Sequence, residues 1–250
     1  INRINTGGFT RYLMQKRPDY IISAHFLPSE IAAYLKRKGK IASKLITIIT
    51  DFGVHPFWIA PATDLYVVAS DFTRDKLLAE GVLEEKIKVF GLPSDIKFLQ
   101  QFDRVALASK LGIACDKFTV LLMTGSFGIG PLEPIARLLC SYAQVMVVCA
   151  GNKKLYDKLN KLKLPNVKIF SFVNNTEELM AVSDIIVTKP GGSTIAEIIN
   201  MELAPVFISA IPGQEEGNVE ALSRFGIGST PKDTCQIKEI PGFWNAFPEP

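Results

Sequence analysis

From Tyr20 to Ile208 the chain alternates short apolar, β-rich runs with stretches of helical period. That rhythm constrains the fold more than any other feature. Parallel strands need a crossover of about a dozen residues, usually a helix, and strands buried on both faces read as continuous apolar runs. Strands are predicted at 20–24, 45–50, 65–69 and 87–90, with helices over 29–38 and 73–80. A second series has strands at 118–123, 145–149, 167–170, 184–188 and 206–208, and helices over 131–141, 154–162, 176–180 and 193–201. Between the series, residues 91–103 are polar and aperiodic and read as an interdomain linker. The expected class is α/β, with two parallel-sheet domains over 1–100 and 104–250.

Composition narrows the class further. Hydrophobic residues make up 48% and charged residues 21% of the 250, a balance that excludes disorder for most of the chain. No run approaches the roughly 18 apolar residues that a membrane-spanning helix requires. The chain opens on Ile1 in patterned sequence and closes at Pro250 without a returning helix. A fragment is therefore expected, its first domain lacking the front and its second the C-terminal end. The four cysteines, Cys115, Cys140, Cys149 and Cys235, form no C-x-x-C pair and suit reduced thiols of a cytosolic protein. With His25 and His55 the only histidines, no zinc site has enough ligands, and no metal is expected.

The net charge of +3 is too mild for a nucleic-acid binder. Its distribution is lopsided: residues 1–44 carry +7 and the remainder −4. The densest cluster, Lys36, Arg37, Lys38 and Lys40, lies at a predicted helix end. Basic residues favour helix C-termini because of the macrodipole. They also bind anionic lipid, at about 1 kcal/mol each near the surface. Both readings are open.

Four loops carry candidate chemistry, each just beyond a strand's carboxyl end. Thr124 to Pro131 contains Gly125, Ser126, Phe127 and Gly128. Its glycines allow close backbone approach to an anion at a helix N-terminus, or simply a tight turn. Thr188 to Thr194 adds hydroxyls to that arrangement, with Lys189, Gly191, Gly192, Ser193 and Thr194 suited to a diphosphate. Glu197, three residues after Thr194, closes a capping box or accepts from a ribose diol. Gln214, Glu215 and Asn218 suit the hydroxyls of a sugar, or form a solvated turn. In the first series, Asp51, His55 and an exposed-looking Trp58 suggest an acceptor platform, although a histidine there is more often a structural hydrogen bonder; His25 is a similar case.

Together these motifs resemble the glycosyltransferases that make monogalactosyl- or glucosyl-diacylglycerol, relatives of the peptidoglycan N-acetylglucosaminyltransferase. The resemblance runs from about Pro18 to Gly226. Its most specific blocks are Lys-Pro-Gly-Gly-Ser-Thr-Ile-Ala-Glu, 189–197, and Pro-Gly-Gln-Glu-Glu-Gly-Asn, 212–218. It implies a GT-B architecture, two Rossmann-like domains facing a cleft, and inverting transfer that needs neither metal nor cofactor. It implies further that the second domain binds a UDP-sugar: Phe172 and Val173 at uracil, 191–194 at the diphosphate, Glu197 at the ribose, and Gln214, Glu215 and Asn218 at the hexose. Asn152 and the 125–128 loop would belong to the same donor site. The first domain would hold diacylglycerol at an anionic membrane, placing the protein peripherally on the cytoplasmic face. The family's base is a histidine in a Gly-x-Gly-His stretch, which this sequence lacks. The base is expected upstream of Ile1, with His25 and His55 as candidates. The alternatives are the peptidoglycan transferase and a nucleotide-sugar-binding module inactive by itself.

Overall fold

In the computed structural model, which describes residues 6–211, 215–233 and 236–237, each apolar run has become a strand of one of two wholly parallel sheets. The described residues up to Pro93, together with 215–221, cluster as one unit; 94–211 and the described residues from Leu222 onward cluster as the other.

In the first unit, helix α1 (Gly7–Lys16) precedes strand β1 (Tyr20–Ser23). Then come α2 (Phe26–Arg37), β2 (Lys44–Ile48), β3 (Leu65–Val68), α3 (Asp71–Ala79) and β4 (Ile87–Val89). The sheet order is β1-β2-β3-β4, with Ile21 opposite Leu45 and Thr47 opposite Tyr66. Helix α2 starts three residues before its predicted first turn because His25, not Ser29, is its N-cap: the His25 Nδ1 accepts from the Leu27 N–H at 3.2 Å. Ser29 is instead buried against β2, where its hydroxyl accepts from Thr47 Oγ1 at 3.0 Å. Helix α1 carries no sequence signal strong enough to predict it. It opens on two glycines and buries only Leu13, leaving Phe9, Tyr12 and Met14 exposed.

In the second unit, α4 (Arg104–Leu111) leads to β5 (Thr119–Met123), α5 (Leu132–Leu139), β6 (Gln144–Val148), α6 (Lys153–Leu162) and β7 (Val167–Phe170). Helix α7 (Thr176–Ala181), β8 (Ile185–Thr188), α8 (Gly192–Asn200) and β9 (Ala204–Phe207) complete it. Helix α9 (Glu216–Arg224) follows β9 in the chain. The sheet order is β7-β6-β5-β8-β9. Every residue of β5, β6 and β8 is buried. Leu122, Val145, Val147 and Val187 form the core with Leu132, Ile135 and Leu139 of α5.

The segment read as a linker is structured from Ile96 onward. A 3-10 turn spans Ile96–Leu99, with Phe98 buried, and α4 begins at Arg104, capped by Asp103 at 3.0 Å from the Val105 N–H. Arg104 pairs with Asp184, which also accepts from the Thr119 N–H at 2.7 Å. These contacts tie α4 to the heads of β5 and β8.

Cys140 and Cys149 are buried free thiols, and burial pushes the Cys149 thiol up to about 11, which makes it inert. Cys115 is exposed, and Cys235 lies outside the described residues. Among the described residues no helix is long and apolar enough to cross a membrane.

Burial sets the first expected outcome. Leu122→Ala in the central strand, fully buried, is expected to cost about 2–5 kcal/mol. Val105→Ala on α4, 65% exposed, should stay within roughly 0.5 kcal/mol. Urea midpoints at equal m-value measure both.

Candidate functional site

The second sheet is laid down outward from β5 to β7, after which the chain returns to the other side of β5 for β8. In open parallel sheets, ligands bind outside the carboxyl ends of the strands at such a reversal. Val120 lies opposite Ile185, and Leu122 opposite Val187. The loops leaving this point are the two glycine loops singled out in the sequence.

After β5, Gly125 and Gly128 adopt φ of +72° and +56°. The Gly128 N–H donates to the Gly125 carbonyl at 3.2 Å. A Cβ on Gly128 would stand 2.1 Å from the Cys149 carbonyl oxygen, so this turn admits only glycine. Asn152 was expected to contact the donor, but its side chain serves the loop. Its Nδ2 donates to the Gly128 carbonyl at 3.0 Å, and its Oδ1 caps α6 at the Leu155 N–H, also at 3.0 Å. Ser126 and Phe127 are exposed at the tip. Behind them Thr124 is buried, its hydroxyl without a partner among the described residues.

After β8, Gly191 is the N-cap of α8 and offers no side chain to its first turn. The capping-box alternative for Glu197 therefore falls: Thr194 lies inside the helix, not at its cap. The first turn presents the positive end of the helix dipole, with the Ser193 hydroxyl exposed and Thr194 half-buried. Glu197 follows in the second turn, half-buried. Burial pushes its carboxyl up, Lys97 pulls it down and Glu177 raises it. Lys97, absent from the sequence candidates, pairs with Glu177 at 2.8 Å and donates to the Asn174 carbonyl at 3.2 Å. Its only sequence signal was Asp95, which caps the turn that carries it. Lys189 is half-buried before the helix; beyond β7, Phe172 is exposed and Val173 half-buried.

The first unit assembles a second group at the carboxyl ends of β1 and β2. Trp58 is buried, not exposed, and its Nε1 donates to Asp51 Oδ2 at 3.3 Å. The exposed ring is Phe57, which stands 4.5 Å from His55 and 5.7 Å from Phe26. Phe26 in turn meets Trp58 edge-on at 6.0 Å and His25 at 4.3 Å. Both histidines are helix caps. His55 Nδ1 accepts from the Phe57 N–H at 3.2 Å, as His25 Nδ1 does from Leu27. A neutral imidazole accepting at Nδ1 carries its proton on Nε2, which is then a donor. In each, the cap uses Nδ1 alone and Nε2 takes no part in it.

The expected hexose residues divide. Gln214 lies outside the described residues. Glu215 and Asn218 are buried at the start of α9, within the first unit. The Asn218 side chain faces the loop after β2: Oδ1 accepts from the Phe52 and Gly53 N–H groups at 2.7 and 3.1 Å, and Nδ2 donates to Asp51 Oδ1 at 3.1 Å.

Part of the basic cluster is spent on structure. Lys36 pairs with Asp64, Lys44 with Asp64 at 3.6 Å, and Arg37 with Glu30 at 3.8 Å. Arg11, Lys16, Arg17, Lys38 and Lys40 remain exposed. Among the described residues, no group of three or more His, Cys, Asp or Glu side chains is placed to hold a metal.

Two solved structures share the fold. HepE from Anabaena, solved in complex with UDP-glucose, matches with a TM-score of 0.62 at 18% identity, covering 93% of this chain and 71% of that one. MurG from Acinetobacter baumannii matches at 0.61 and 13% identity, over 89% and 62%. The two α/β units thus have the GT-B fold. The family model described as monogalactosyldiacylglycerol (MGDG) synthase matches residues 1–94, and that of the glycosyltransferase family 28 C-terminal domain matches 133–223. Monogalactosyldiacylglycerol synthase 1 of Arabidopsis thaliana is 34% identical over 248 residues, 93% of this chain and 46% of its own length. A processive diacylglycerol β-glucosyltransferase of Staphylococcus saprophyticus is 30% identical over 94% of this chain and 61% of its own. The chain is thus similar over most of its length to monogalactosyldiacylglycerol synthases and processive diacylglycerol glucosyltransferases. It spans about half the length of the plant relatives it matches.

The glycine turn gives a second expected outcome. Gly128→Ala combines a left-handed φ with a clash against the Cys149 carbonyl. It should lower stability by about 1–3 kcal/mol, read as a drop in Tm. Gly125→Ala meets no atom within 4 Å and should cost only the conformational part, about 1 kcal/mol.

Proposed function

We propose that this chain carries the donor site, and part of the acceptor site, of an enzyme that transfers a hexose from a UDP-sugar to diacylglycerol at a membrane surface. One observation carries the reading: at the reversal point of the second sheet, α8 opens on glycine with hydroxyls in its first turn and a half-buried carboxylate in its second. Gly191, Gly192, Ser193 and Thr194 take the diphosphate, Glu197 the ribose diol, and Phe172 with Val173 the uracil. Lys189, Ser126 and Phe127 border the donor, and Gln214 with Glu215 serve the hexose. The names of the relatives, synthases and transferases acting on diacylglycerol, support the same substrates.

The chemistry follows from charge. The departing UDP gains negative charge as the glycosidic bond breaks. N–H groups and the dipole of α8 offset that charge without reorganising, so the transfer needs neither metal nor cofactor. Inversion requires a base to take the acceptor hydroxyl proton on the opposite face. His25 and His55 are the candidates for that base among these residues.

Membrane contact rests on α1 and the end of α2. Phe9, Tyr12 and Met14 are exposed on the same short helix as Arg11 and Lys16, with Lys38 and Lys40 exposed beyond α2. Apolar and basic groups together favour an anionic lipid surface. The protein sits peripherally on the cytoplasmic face.

Incubation with UDP-glucose or UDP-galactose and diacylglycerol vesicles should yield glycolipid. UDP binding without product would reduce the chain to a donor module. Glu197→Gln should weaken UDP by about tenfold or more, the worth of hydrogen bonds to a charged acceptor. Because burial raises the Glu197 carboxyl, wild-type affinity should begin to fall at higher pH than an ordinary glutamate would dictate. The Gln variant should lose that pH dependence, and calorimetry across pH checks both. Lys38→Ala with Lys40→Ala should cut partitioning to anionic vesicles by roughly tenfold or more, with little effect on neutral ones.

A further inference from the structure

We propose that Asn218 is a positioning residue: it ties the loop Asp51-Phe52-Gly53 to the first turn of α9 and so sets the aromatic platform on the acceptor side. The inference rests on the acceptor reading given above, but its geometry stands by itself. Asn218 is 0% exposed. Its carboxamide oxygen takes two successive backbone N–H groups, Phe52 and Gly53, and its nitrogen reaches the carboxylate of Asp51. No other side chain of this size offers an acceptor and a donor in one rigid plane.

The tie is built from both sides. A Cβ on Gly53 would lie 2.7 Å from the Gly217 Cα, and one on Gly217 would lie 2.8 Å from the Gly53 Cα. The two backbones therefore touch, and any side chain at either position would push Asn218 out of reach. From α3, Thr73 Oγ1 donates to the Phe52 carbonyl at 2.9 Å, holding the other edge of the same peptide plane. Lys76 and Glu220 add an exposed α3–α9 pair at 3.5 Å.

Asp51 carries the effect onward. Its Oδ1 accepts from Asn218 and its Oδ2 from Trp58 Nε1. Trp58 in turn meets Phe26 edge-on, and Phe26 meets Phe57, the exposed ring of the group. Asn218 thus acts on an acceptor through the Asp51 carboxylate and the Trp58 indole, without touching the acceptor itself. A residue that contacted the hexose directly would act on the donor sugar instead.

Amide exchange resolved by NMR, with Trp58 emission in a Trp244→Phe background, tests the tie without requiring activity. Asn218→Ala should speed exchange at Phe52 and Gly53 by about tenfold or more, shift Trp58 emission to the red, and leave UDP affinity within about twofold. Asn218→Asp keeps the acceptor oxygen, so exchange at both amides should stay slow while Trp58 emission still moves. In the transfer assay, both variants should raise the KM for diacylglycerol about tenfold with the KM for UDP-hexose unchanged. Unchanged exchange in Asn218→Ala, or a defect confined to the UDP-hexose KM, overturns the proposal. If Asn218→Ala does not fold, the emission shift and KM split of Asn218→Asp decide. If the wild type makes no glycolipid, the transfer reading fails, and exchange and emission still decide the tie.

Discussion

The pairing of β5 with β8 is the contact on which the second unit depends. Because both strands are buried along their whole length, a register slip would exchange the side chains packed on the two faces, so the alignment of Leu122 with Val187 is held by packing on both. That alignment sends two glycine loops away from the same point with their strand ends level. The N-terminus of α8 then opens beside the turn that follows β5. Tight loops are needed for the same reason. Gly128 must pass under the Cys149 carbonyl, and Asn152 must hold the loop there.

Charge is handled differently in the two units. Around α8 the carboxylate of Glu197 is half-buried with a lysine in its neighbourhood, so it remains an acceptor at a cost in solvation. Around the loop after β2, the carboxylate of Asp51 accepts from an indole at one oxygen and a carboxamide at the other. The first arrangement leaves capacity for a ligand's hydroxyls. The second uses that capacity to fix aromatic side chains. Two acidic residues at comparable positions beyond parallel strands thereby take opposite roles.

Most of the architecture was legible because it is local. Strands such as Thr119–Met123 announce themselves by apolar runs, and the helices between them make the pairing parallel, though not its order. The glycine loops and Glu197 were legible because each sits beside its strand. What escaped notice depends on distant partners. Trp58 looked exposed from its neighbours, and only Asp51 and Phe26 show why it is buried. The capping of the backbone two residues ahead by His25 and His55 also carried no sequence signal. Helix α1 was missed because Gly7 and Gly8 weaken its start and one buried leucine leaves no periodic stripe. Lys97 stood in a stretch without period, where a single Asp95 cap was the whole signal.

The Asn218 tie spans 166 residues of sequence to Phe52. A contact so distant orders the chain's assembly in time as well as space. A ribosome adding about 5–20 residues per second needs roughly ten to thirty seconds to travel that interval. Throughout it, the four strands of the first sheet can already pair, while the Phe52 and Gly53 amides wait for their acceptor. The loop after β2 is thus the last part of the first unit to gain its hydrogen bonds, once the second sheet has been synthesised.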